Sequence, residues 1–170
     1  MGSDLRARTP RSSGGLRGNV ERVSWRTLDH TADVGIEVQA GTWAELCQEA
    51  ARAFGEFVAG GLLAPALHET ERVLEVRGED RVETWVRFWR ELLRLWTVEG
   101  FLAAHARVEA SADGLALRAR VGCVSAGALD PTRCADVKAV TWHAARVEGP
   151  RQGLGGAREE PWLGTIVLDL

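Results

Sequence analysis

Two carboxylates, an imidazole and a hydroxyl crowd into Asp29-His30-Thr31-Ala32-Asp33, and the run leads straight into Val34-Gly35-Ile36. Carboxylate oxygens ligate hard metal ions, and an imidazole beside them can activate water. Val34, Ile36 and Val38 alternate with Gly35, Glu37 and Gln39, the period-two pattern of a half-buried strand. The polar cluster therefore stands at the mouth of a rigid element, which keeps site geometry better than a loose loop. Taken alone, Asp, Thr and His ahead of a strand are also ordinary turn residues that hydrogen-bond the local backbone.

Two further patches carry chemistry. The chain closes on Val167-Leu168-Asp169-Leu170, an apolar strand pattern with no polar tail behind it, which sets the side chain of Asp169 beside the carboxylate of Leu170. If that strand pairs near the Asp33 strand, three carboxylates converge. Such a cluster repels itself unless a proton or a cation neutralises it, and an all-oxygen ligand set selects Ca²⁺ or Mg²⁺. The third patch is Val137-Lys138-Ala139-Val140-Thr141-Trp142-His143. Of 21 basic residues only Lys138 is lysine, and a compact ammonium fits among carboxylates where a planar guanidinium does not. Strand alternation sends Lys138 and His143 to opposite faces unless a bulge intervenes, so His143 reads as a structural histidine and Lys138 as a counter-charge.

Other chemistries find little support. No GxSxG elbow is present, and no cysteine is set by sequence beside a histidine and an orienting acid. Gly153 to Gly156 lacks the Lys-Ser/Thr or helix that a phosphate-cradling loop requires, so no nucleotide-binding site is expected. Cys47, Cys123 and Cys134 are dispersed and odd in number, and His30, His68, His105 and His143 miss zinc-site spacings. Buried, reduced thiols are the expectation.

The elements that must position these patches follow from periodicity. Val23–Leu28 and Asp33–Ala40 read as strands. Thr42 with Glu45 forms a capping box ahead of Trp43, Leu46, Ala50, Ala53, Phe54, Phe57 and Val58 at helical spacing, and Gly60-Gly61 ends that helix. Arg72–Arg77 alternates weakly as a strand. Asp80 and Glu83 offer a second capping box for a helix whose stripe is Val82, Trp85, Val86, Trp89, Leu92, Leu93 and Trp96, stopped by Gly100. Tryptophans at that spacing pack a core more readily than they stack bases. Leu102–Ala110 and Leu115–Val121 flank the hairpin turn Asp113-Gly114, and Ala135–Val147 and Trp162–Leu170 complete the strands around a Gly/Pro-rich loop, Gly149–Pro161. The order implies an α+β fold: two layers, a largely antiparallel sheet with two amphipathic helices packed on one face.

Length fits one domain, 21–170, behind an Arg/Gly/Ser-rich tail, 1–20, whose composition reads as disorder. Net charge is −3, and because the tail is basic the remainder is near −6, which argues against tight, sequence-independent nucleic-acid binding. No apolar run approaches the ~18 residues that span a bilayer, and the N-terminus lacks a secretory apolar segment. A cytoplasmic protein without membrane contact is expected.

Taken together, DHTADVGI near the start, VKAVTWH about thirty residues from the end and the terminal VLDL resemble the archease family, with the helix end from Glu91 to Gly100 in agreement. The resemblance covers about Val23 to Leu170. It implies an accessory protein with no catalytic residues of its own, partner to an RtcB-type RNA ligase in tRNA splicing and RNA repair, promoting GTP-dependent guanylylation and repeated turnover. It also implies one divalent cation, Ca²⁺ or Mg²⁺, on Asp33, Asp169 and Leu170, with Lys138, His30, Thr31 and His143 nearby. RNA would be touched only weakly or indirectly. The family commonly has Tyr where this chain has Trp142, and often Glu where it has Asp29; neither position is an implied ligand. Two other readings stay open: a chaperone-like modulator of an RNA-modifying enzyme such as a tRNA methyltransferase, and a free-standing metal-dependent hydrolase.

Overall fold

Period-two alternation in the first strands and 3.6-residue stripes in the helices produce the element order that the sequence predicts. The computed structural model describes residues 24–29, 33–63, 70–150 and 160–170; the N-terminal tail, His30, Thr31 and most of the Gly/Pro-rich loop lie outside them. The chain runs β1 (Ser24–Asp29), β2 (Asp33–Ala40), α1 (Trp43–Ala59), β3 (Thr70–Arg77), α2 (Arg81–Thr97), β4 (Phe101–Ala110), β5 (Ala116–Ser125), β6 (Ala139–Glu148) and β7 (Trp162–Asp169). This is an α+β fold with antiparallel pairing throughout, but the strands divide into two sheets, ordered β1-β2-β7-β6 and β3-β5-β4.

The helix ends show why these segments are helical. At α1 the Thr42 hydroxyl accepts from the Glu45 N–H (3.2 Å) and the Glu45 carboxylate accepts from the Thr42 N–H (3.1 Å), a complete capping box. Gly60, at φ 68°, closes the helix in the left-handed region that glycine adopts without strain. The expected second box is only half made. Asp80 caps Glu83 N–H at 2.8 Å, but the Glu83 carboxylate accepts from the N–H of Glu79 instead of Asp80.

α2 is more deeply buried than its predicted stripe. Trp85, Val86, Trp89, Leu92 and Leu93 are buried as expected, and so are Thr84, Phe88 and Leu95. The reason is tertiary: α2 packs on β6 of one sheet and on β3 and β4 of the other. α1 likewise spans β2 and β4, approaching β4 so closely that Gly55 meets the Ala103 carbonyl. The tryptophans build this core. Trp43–Trp85, Trp85–Trp89 and Trp43–Trp162 ring centroids lie 6.1, 5.6 and 5.8 Å apart, and the Trp85 indole N–H donates to the Thr165 carbonyl at 3.0 Å. That bond pins α2 to the strand carrying Asp169.

The long strand expected over Ala135–Val147 begins at Ala139 and is interrupted. Thr141 pairs with Val167 and Arg146 with Thr165, so four residues, Trp142 to Ala145, lie against Ile166 alone. Ala144 takes φ 56°, unusual for a residue with a Cβ, and its carbonyl accepts from the Thr165 hydroxyl at 3.0 Å. No helix among the described residues is long and apolar enough to cross a membrane.

Candidate metal centre

On β2, Ile36, Val38 and Ala40 point into the core, so Asp33, Gly35 and Glu37 point outward. Antiparallel pairing with β7 aligns Ile36 with Ile166 and, three positions along, Asp33 with Asp169. Two carboxylates thus stand directly opposite one another on the outer face of the four-stranded sheet, and both are half-buried. Side chains in such a pair have Cβ atoms about 4.5–5.5 Å apart, and like charges there destabilise. On the far side of Asp169 lies Ala139 of β6, with no charge to offer.

Lys138 supplies charge from the end of that row. Its backbone N–H donates to the Asp169 carbonyl at 2.9 Å, which extends the ladder by one residue. Its ammonium donates to the main-chain oxygen of Leu170 at 2.8 Å. The structure therefore brings together Asp33, Asp169, Lys138 and Leu170 from three separate parts of the sequence. It does not bring in His143, which is exposed on the β6 bulge with no hydrogen bond or ion pair among the described residues. The β6 bulge has no turn residue to announce it; Ala144 and Ala145 carry no such signal.

One group near the site escaped the sequence reading. The Thr141 hydroxyl is buried without a partner among the described residues. Thr141 shares the outer face with Ala139, two residues away, and so lies diagonal to Asp169 across the β6–β7 pair. Buried polar atoms are rarely left unsatisfied.

The donor set fits a hard divalent cation. Its members are carboxylate oxygens, the repulsion between Asp33 and Asp169 is of the kind a cation relieves, and an orphaned hydroxyl adjoins them. Among the described residues no three His, Cys, Asp or Glu side chains converge to hold a metal. The cysteines stand apart: Cys47 and Cys123 are buried, and desolvation raises both thiols, Cys123 to about 11.

Comparison with known proteins relates the chain to a family. Residues 25–170 match the Archease protein family (MTH1598/TM1083). The chain is similar to the protein archease of Archaeoglobus fulgidus, 35% identical over 135 residues that cover 77% of this chain and 93% of that one. It is also similar to the protein archease of Methanopyrus kandleri, 29% identical over 152 residues covering 87% and 100%. The solution structure of Methanobacterium thermoautotrophicum protein 1598 shares the fold at a TM-score of 0.60 and 25% identity, over 86% of this chain and 98% of that one. With residues 25–170 matched by the family model, this protein belongs to the archease family.

Proposed function

We propose that this chain is an accessory protein that activates a GTP-dependent, RtcB-type RNA ligase, promoting its guanylylation and repeated turnover. The observation that supports this reading is the direct opposition of Asp33 and Asp169 on an outward sheet face, beside Leu170 and Lys138. Asp33, Asp169 and the carboxylate of Leu170 would hold one divalent cation. When bound, that ion supplies a hard positive centre suited to phosphate oxygens. The chain's own part is positional. β2 and β7 fix the two aspartates by register, and the Lys138 ammonium holds Leu170 through its main-chain oxygen. No side chain here is assigned a catalytic role.

The alternative of a general holdase needs a contiguous apolar surface. Among the described residues, the exposed large apolar side chains, Leu62, Val73, Val98, Trp142 and Leu170, are dispersed along the chain. The test is ligation of a 3′-phosphate RNA by limiting ligase, with and without this protein. Wild type raises turnover, and Asp33→Ala abolishes the gain while keeping its circular dichroism spectrum. Full stimulation by that variant would remove the carboxylates from the mechanism.

A further inference from the structure

We infer that the cleft over α2, between the β3 and β6 edges, is the docking surface for an acidic segment of the partner protein, with Trp142 as its anchor. The inference rests on the activator reading above and adds the face through which it acts. β3 and β6 are edge strands of their respective sheets, and α2 packs against both. A cleft of about 340 Å³ lies there, lined by Arg77 of β3, Arg90 of α2 and Trp142 of β6. Trp142 is 48% exposed, whereas Trp43, Trp85 and Trp89 are buried.

Charge decides what the cleft takes. It contains three glutamates, and each is paired with an arginine: Glu83 with Arg87 at 2.7 Å, Glu91 with Arg94 at 2.8 Å and Glu75 with Arg118 at 3.6 Å. Arg77 and Arg90 have no carboxylate in ion-pair range among the described residues; Asp113 senses Arg77 only as its weakest influence. Arg90 instead lies over the Trp142 ring, 5.6 Å from its centroid, and reaches the Val140 carbonyl at 3.4 Å. Two unmatched guanidiniums flanking a half-exposed indole are complementary to carboxylates around an apolar side chain. Trp and Arg are also the residues that dominate binding energy at protein interfaces.

The backbone supports the assignment. The β6 bulge, with Ala144 at φ 56° held by the Thr165 hydroxyl, begins at Trp142, and strained bulges persist beside functional sites because the surrounding structure maintains them. Trp142 lies four residues from Lys138, so one strand joins the cleft to the carboxylate centre.

The experiment titrates full-length wild type, Trp142→Ala and Arg77→Glu against a fixed, limiting amount of ligase, with direct binding to immobilised ligase as a second readout. In the cleft variants the concentration for half-maximal stimulation and the dissociation constant rise about tenfold or more, at an unchanged plateau. Asp169→Asn lowers the plateau instead. Trp142→Phe retains much of the affinity, which separates loss of the anchor from loss of fold. Curves of Trp142→Ala and Arg77→Glu that superimpose on wild type overturn the inference. So does a loss of affinity for a 3′-phosphate RNA oligonucleotide, measured without ligase, in place of a loss of ligase binding. Absence of stimulation by wild type would refute the activator role, while the binding readout still decides the cleft.

Discussion

Replacing Asp169 by Asn tests whether the carboxylate pair is built for a cation. The substitution keeps volume and the β7 backbone ladder but removes one of two like charges held in register. At about 5 Å in water-like surroundings their repulsion is about 0.8 kcal/mol by Coulomb's law, within the range of about 0.2–1 kcal/mol for cross-strand pairs. In EDTA the variant is therefore more stable than wild type by up to about 1 kcal/mol, a rise in Tm of about 1–4 °C for a chain of this size. Saturating cation reverses the order. At a hundred times its dissociation constant a ligand adds about 2.7 kcal/mol, so wild type gains about 5–10 °C and the variant gains little. Differential scanning calorimetry with EDTA, Ca²⁺ and Mg²⁺ reads both effects. An Asp169→Asn protein less stable than wild type in EDTA, or a wild-type Tm indifferent to millimolar cation, would refute the reasoning.

Other outcomes follow from the packing. Gly55→Ala places a Cβ 1.8 Å from the Ala103 carbonyl oxygen, a backbone atom that cannot swing away. It costs at least the upper part of about 1–3 kcal/mol in urea unfolding. Trp85→Ala removes a fully buried indole and its bond to Thr165, losing about 3–5 kcal/mol by the same measurement. A thiol reagent at pH 8 labels half-buried Cys134 quickly in the native protein, and all three cysteines only after denaturation; rapid native labelling of two or more would contradict the burial. The Cys123 thiol, pushed up to about 11 by burial, stays protonated when its unfolded counterpart, near 8.5, has ionised. Its contribution to stability is therefore complete below about pH 8.5 and declines as pH rises toward 11, visible as a falling urea midpoint.

What the sequence determined by itself is what repeats locally. Alternation in Val34, Ile36 and Val38, the cap at Thr42 and the tryptophan stripe of α2 each report a period within one segment, and each is found in the structure. Three short motifs, DHTADVGI, VKAVTWH and VLDL, carry the family resemblance by themselves. Tertiary structure alone decided how the segments meet. Division into two sheets follows from which edges pair, and it explains why Phe88 and Leu95 are buried outside the predicted stripe. The opposition of Asp33 to Asp169 is a property of register between distant strands, which no local period encodes. The bulge at Trp142 likewise arises because β6 must match β7 at both Thr141 and Arg146, and three of the surplus residues, Trp142, His143 and Ala144, are exposed. That mismatch leaves an indole beside Arg90 that alternation alone did not foretell.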